Sequence, residues 1–167
     1  MAYSGIYKPA NPRKYKGDPT RIIYRSLWER KFMYFCDNND SIIQWGSEEV
    51  IIPYRCPTDG RVHRYYPDFY IKVKSKSGVI SKYLIEVKPK KQTTPPNDKN
   101  KRTAAYKRAA LTFAKNRAKW DAAQDFCEDP PHCSVSQAWY GDHRAHNKPA
   151  ITGHCEQRRL CWVSQHP

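Results

Sequence analysis

The chain has 167 residues, with 30 Lys and Arg against 16 Asp and Glu, a formal charge of +14 and a pI near 9.6. That length suits one domain with a modest core, and no apolar run approaches the roughly 20 residues of a spanning helix, so no membrane-spanning helix is expected. The cationic surplus favours a polyanionic partner, because phosphates attract Lys and Arg and shed their own counterions on binding.

Residues 1–24 are rich in Tyr, Lys, Arg and Pro and are expected as an extended basic arm, either solvated or laid along DNA. The opening Met1-Ala2-Tyr3-Ser4-Gly5 lacks the apolar centre of a secretory signal. The six cysteines are therefore expected as reduced thiols rather than a disulfide framework. Ser26-Leu27-Trp28-Glu29 opens a helix that runs to about Cys36. Ser26 caps it and Glu29 falls at the third helical position, the pattern of a capping box. Asp37-Asn38-Asn39-Asp40 supplies turn chemistry to stop it.

Ile42 to Trp45 and Val50 to Tyr54 read as strands, and Pro57-Thr58-Asp59-Gly60 as a turn. A hairpin is expected from Ile51 to Tyr70, with a second arm running from His63 to about Lys74. His63 reads as a hydrogen-bonded strand histidine, with phosphate contact or action as a base as its alternatives. A further strand spans Tyr83 to Lys88. Alternation puts Asp68, Tyr70 and Lys72 on one face of their strand, and Leu84, Glu86 and Lys88 on one face of theirs.

Residues 89–103 form a polar loop, and a helix follows from about Ala104 to Cys127. Its stripe of Ala109, Phe113, Trp120, Ala123 and Cys127 is expected to face the core. Between Lys88 and Trp120 there are 11 Lys and Arg and one acid, Asp98. This is the expected phosphate-contacting surface, with Lys90, Lys91, Gln92, Lys101, Arg102, Lys107 and Arg108 as candidate DNA-binding residues. After Cys127, Asp129-Pro130-Pro131 breaks the helix, and the residues beyond show no sustained period. Residues 128–167 are expected as an irregular or disordered tail, whose origin is a frame change, a natural extension or a zinc-binding segment around Cys127, Cys133, Cys155 and Cys161.

The acids carry the chemistry. Phosphodiester hydrolysis uses an oxygen-ligated Mg²⁺ or Mn²⁺, and carboxylates on adjacent strands are suitable hard ligands. Asp68 and Glu86 fit that role, with the Val87 carbonyl as a third oxygen. Lys88 points to the same side as Glu86 and can orient a water or stabilise phosphate charge. Glu29 either closes the capping box, binds metal or positions a water, and the pattern leaves these open. Either motif alone is ordinary; order, strand phase and the basic surroundings together point to a metal-dependent nuclease.

Four runs, Tyr24 to Glu29, Trp45 to Glu49, Asp59 to Asp68 and Tyr83 to Thr93, resemble the head completion nucleases of T4-like tailed phages. The resemblance covers about residues 1–127. More broadly the chain resembles the PD-(D/E)xK superfamily, including the endonuclease subunit of Tn7-like transposons. It implies an α/β, restriction-endonuclease-like core in residues 25–127: a mixed central sheet flanked by helices, followed by the irregular tail. It implies Asp68, Glu86 and Lys88 as the catalytic core, with Glu29 as an additional helix-borne acid. It also implies a Mg²⁺-dependent DNA endonuclease that meets head or portal proteins in the host cytoplasm during assembly, or in the virion head. The alternatives are a non-catalytic DNA-binding virion protein and a transposase- or resolvase-type nuclease. Family members follow the long helix with a short apolar strand, which is expected to be missing here.

Overall fold

A computed structural model describes residues 3–88, 92–97, 103–128, 133–138 and 161–162. The helix α1 spans Leu27–Asn38 and begins at the expected Ser26 cap, with the Glu29 side chain folded back to the residue before the cap rather than to the Ser26 N–H. Ser26 Oγ accepts from Glu29 N at 3.2 Å, and Glu29 reaches back to Ser26 Oγ at 3.0 Å and Arg25 N at 2.6 Å. Phe32, Met33 and Cys36 fall at helical spacing and are buried. The helix continues past the expected stop because Asp37 is a core acceptor rather than a turn residue. Its carboxylate takes hydrogen bonds from Tyr7 Oη (3.2 Å), Ala10 N (2.6 Å) and Asn11 N (3.0 Å).

That acceptor changes the reading of residues 1–24. Strands β1 (Gly5–Tyr7) and β2 (Ile22–Tyr24) pair antiparallel, with a 3-10 turn at Pro12–Lys14 between them. Tyr7, Tyr15 and Ile22 are buried in the main core with Phe32, Met33 and Trp45. Tyr7 and Tyr15 meet the Trp45 ring edge-on at 5.9 and 4.8 Å. The segment is thus packed structure where an extended arm was expected; its aromatics outweigh its charge.

The main sheet takes the order β3-β6-β7-β8-β9, with β3 at Ile42–Ser47, β6 at Phe69–Lys74, β7 at Ile80–Val87, β8 at Cys133–Ala138 and β9 at Cys161–Trp162. β3, β6 and β7 are antiparallel neighbours, and β7, β8 and β9 are parallel, so the sheet is mixed. The expected hairpin is real but its second arm is split. β4 (Ile52–Arg55) and β5 (Val62–Tyr65) form their own two-stranded sheet, and the chain leaves it at Tyr66-Pro67-Asp68 to enter β6. Pro67 has no N–H to donate, so it suits the break between ladders.

Both faces of this sheet are covered. Phe69, Ile71 and Ile85 pack toward α1 and the N-terminal segment. Leu84 packs on the opposite side with Ile52, Tyr54, Tyr65, Ala123 and Cys127. The last two belong to α2, Ala104–Glu128. Trp120 is buried as expected, whereas Phe113 is only partly covered and Ala109 is exposed, because α2 meets the sheet through its C-terminal half.

The expected absence of a closing strand is corrected. β7, α2 and β8 form a parallel crossover, with Lys82 to Val87 in register with Cys133 to Ala138. Without β8 the far edge of β7 would present unpaired N–H and C=O groups, and pairing them favours a strand even in the weakly β-forming run Cys-Ser-Val-Ser-Gln-Ala. Residues 129–132, 139–160 and 163–167 lie outside the described residues, Cys155 among them; of the other cysteines in the zinc-tail reading, Cys127 of α2 is buried in the core, and Cys133 and Cys161 open β8 and β9.

Candidate active site

The register of β6 and β7 builds the site. Phe69 lies opposite Ile85 and Tyr70 opposite Leu84, so one further step sets Asp68 opposite Glu86. Both carboxylates then project from the face of Tyr70 and Leu84, as strand phase requires. Asp68 Oδ2 accepts from Val87 N at 2.7 Å, which ties the end of one strand to the other. Lys88 Nζ lies 2.9 Å from Glu86 Oε1 and 3.9 Å from Asp68 Oδ2. The sequence expectation that Asp68, Glu86 and Lys88 meet is matched by this geometry.

Two carboxylates this close repel. Burial and then the charge of Glu86 push Asp68 up to about 7, against the lowering effects of Lys88 and the Val87 N–H. Burial works against the charge on Lys88, but Glu86 and Asp68 outweigh it and hold its pKa above the ordinary lysine value. Lys88 is therefore a fixed cation near neutral pH, suited to electrostatic work rather than to accepting a proton. Among the described residues no hydrogen bond reaches Asp68 Oδ1. That oxygen, set beside the Glu86 carboxylate in a largely buried acidic pair, is a hard donor of the kind a divalent cation takes.

Glu29 sits at the N-terminus of α1, and its negative field adds to the upward shifts of both Asp68 and Lys88. Its two oxygens are nevertheless engaged in the capping box, by Ser26 Oγ and Arg25 N. Both readings of Glu29 in the sequence thus have a physical basis here: the cap is formed, and the acid stands beside the pair.

Several groups around the site were not singled out by sequence. Tyr65 donates its hydroxyl to Glu86 Oε2 at 2.8 Å from the separate β4–β5 sheet. Burial first, and the Glu86 charge next, raise its pKa far above that of a free phenol, so it remains a donor. The Lys119 ammonium from α2 lies 5.4 Å from the Tyr65 ring. Arg25 is ion-paired with Glu48, which raises its pKa against a smaller opposing effect of burial, with Glu29 and Asp68 adding to the rise. Glu48, which from sequence suits either a turn or support of the acids, has a left-handed φ of 56° and donates its N–H to the Asp68 carbonyl at 3.2 Å. No spacing rule connects Tyr65 to Glu86 or Arg25 to Glu48, because each pair joins elements brought together only by folding.

The expected DNA-binding residues separate into two groups. Gln92, Lys107 and Arg108 have exposed side chains, and the Gln92 carbonyl is tied to α2 through Asn116 Nδ2 at 3.4 Å. Lys90, Lys91, Lys101 and Arg102 lie outside the described residues.

A family model described as TnsA-like endonuclease N terminal matches residues 39–130. The chain belongs to the TnsA-like endonuclease family. The family match spans Asp68, Glu86 and Lys88 and begins after Glu29. The head completion nuclease of Enterobacteria phage T4 is 44% identical over 132 residues, covering 77% of this chain and 85% of the phage protein. No solved structure matches the chain. The mixed sheet and flanking helices of this TnsA-like protein are those of a restriction-endonuclease-like fold, as the sequence resemblance implied.

Proposed function

We propose that the chain is a metal-dependent DNA endonuclease acting in phage head completion before tail joining. The observation that carries this reading is the convergence of Asp68, Glu86 and Lys88 at the ends of adjacent strands in a strongly cationic chain. The name of the phage T4 relative and the family description support it. Asp68, Glu86 and the Val87 carbonyl would hold Mg²⁺, with Mn²⁺ as a substitute. When bound, the ion supplies Lewis acidity toward the scissile phosphate and the attacking water.

The chain's own residues do the rest. Lys88 places a fixed positive charge beside the carboxylates, where it orients the water and offsets charge developing on phosphate. Tyr65 and Lys88 hold the two oxygens of Glu86 in place. Glu29 contributes a third negative group at the rim. Lys90, Lys91, Gln92, Lys101, Arg102, Lys107 and Arg108 would bind DNA phosphates, positioning the strand without reading its sequence. Head or portal proteins are the expected partners, in the host cytoplasm during assembly or in the virion head.

The test is cleavage of linear duplex DNA by the wild type and Glu86→Ala, in Mg²⁺ and in chelator. Metal-dependent cleavage lost in the variant supports the reading. Binding without cleavage in any divalent metal favours a structural virion protein instead, and strong preference for branched DNA in the same assay favours a resolvase-type nuclease.

Two further outcomes are expected. Tyr65→Phe keeps the ring but frees Glu86 Oε2, and should raise the Mg²⁺ concentration for half-maximal cleavage by about 10–100-fold. A Mg²⁺ titration of the rate checks it; an unchanged midpoint would mean that the hydroxyl does not orient the ligand. Replacing exposed Lys107 by Ala should lower the salt slope of DNA binding by about 1 and weaken all sequences alike. An unaltered slope in binding isotherms at several salt concentrations would remove Lys107 from the interface.

A further inference from the structure

We propose that the turn of the β4–β5 hairpin is a second metal site, for a borderline or soft cation such as Zn²⁺, distinct from the Asp68–Glu86 site. Cys56 Sγ, an Asp59 carboxylate oxygen and a His63 ring nitrogen all lie within 4.8 Å of one another. The spacing is Cys-x2-Asp-x3-His, within the short-range ligand spacings of zinc-binding turns. The set mixes sulfur, nitrogen and oxygen, which selects Zn²⁺-like ions over Mg²⁺.

The backbone is preformed for this. Gly60 N donates to the Cys56 carbonyl at 2.9 Å, and Cys56 N to the Arg61 carbonyl at 2.8 Å, closing the turn around the sulfur. Gly60 has a φ of 69°, a conformation that a side chain would strain. Arg61 N holds Asp59 Oδ1 at 3.1 Å, leaving Oδ2 turned to His63 Nε2 at 2.7 Å. The Thr58 hydroxyl lies 3.1 Å from Cys56 Sγ. Cys56 is buried, while His63 and Asp59 remain accessible, so an ion can enter from solvent. The Asp59–His63 pair need open by only about 1 Å to reach the spacing of tetrahedral ligands at ~2.0–2.3 Å from zinc.

Binding expels the Cys56 thiol proton and leaves His63 neutral, with water completing the coordination. Its structural effect would be to pin the hairpin that carries Tyr65 to Glu86. The site uses none of the residues assigned to the nuclease centre.

The test is a Co²⁺ titration of the full chain in excess Mg²⁺, followed by near-ultraviolet thiolate-to-cobalt charge-transfer absorption. The wild type is expected to saturate at one equivalent, and Zn²⁺ to bleach the band. Cys56→Ser should abolish the band, and His63→Ala should weaken Co²⁺ binding roughly tenfold or more. No band, or a band that survives either substitution unchanged, overturns the proposal. His63 is exposed, so its variant carries the test even if Cys56→Ser fails to fold.

Discussion

Metal-free Asp68→Asn protein is expected to melt at a higher temperature than the wild type at pH 8, although the change removes the centre of the proposed site. Burial and Glu86 hold Asp68 at about 7 in the fold, against 3.8 when it is free. Between those values the folded chain keeps a proton that the unfolded chain has lost. The associated stability is fully present below about pH 4 and is lost as pH rises to about 7. At pH 8 the wild type therefore carries the whole cost of two adjacent charged carboxylates, on the order of 2–4 kcal/mol after allowance for partial exposure. Asn at this position still accepts from Val87 N and leaves Lys88 paired with Glu86. The expected gain is roughly 5–10 °C at pH 8, shrinking toward pH 5. Mg²⁺ should raise the melting temperature of the wild type and leave the variant unmoved, because only the wild type keeps the ligand. Differential scanning calorimetry across pH, with and without Mg²⁺, measures all of this. A variant less stable than wild type at pH 8 would mean that the carboxylates are already compensated without a cation.

The second large effect is structural. Asp37→Ala should lose about 3–5 kcal/mol, because it strands several donors in one step. Tyr7 Oη, Ala10 N and Asn11 N all point at the Asp37 carboxylate, and Asp37 is fully buried. That loss is a large share of the ~5–15 kcal/mol of an ordinary domain. Asp37→Asn keeps one acceptor oxygen and should lose less. Urea midpoints give the size of the effect, and limited proteolysis within residues 1–24 gives its location. A loss below about 1 kcal/mol with no new cleavage in that segment would show that Asp37 does not anchor it.

These two residues mark what a sequence reading can and cannot reach. The Asp68–Glu86 pairing was legible because strand alternation is local: once two neighbouring strands are assigned, phase decides which side chains share a face. The capping box at Ser26 and Glu29 was legible for the same reason. Asp37 looks like a turn residue in sequence because its identity is that of a helix stop, while its partners lie 26 to 30 residues upstream. The basic arm misled in the same way: charge dominated its composition, but Tyr7, Tyr15 and Ile22 decided its placement. Tyr65 was invisible because it belongs to one sheet and Glu86 to another. β8 was missed because its pairing with β7, rather than its own composition, makes it a strand.

The central claim is that Asp68, Glu86 and Lys88 form one metal-dependent phosphodiester-cleaving centre. Single-turnover cleavage of linear duplex DNA in Mg²⁺, wild type against Asp68→Asn with folding verified by calorimetry, tests it most directly. The expected result is Mg²⁺-dependent cleavage by the wild type and a rate lower by at least about a hundredfold to a thousandfold in the variant, with DNA binding retained. Cleavage by Asp68→Asn at the wild-type rate would contradict it.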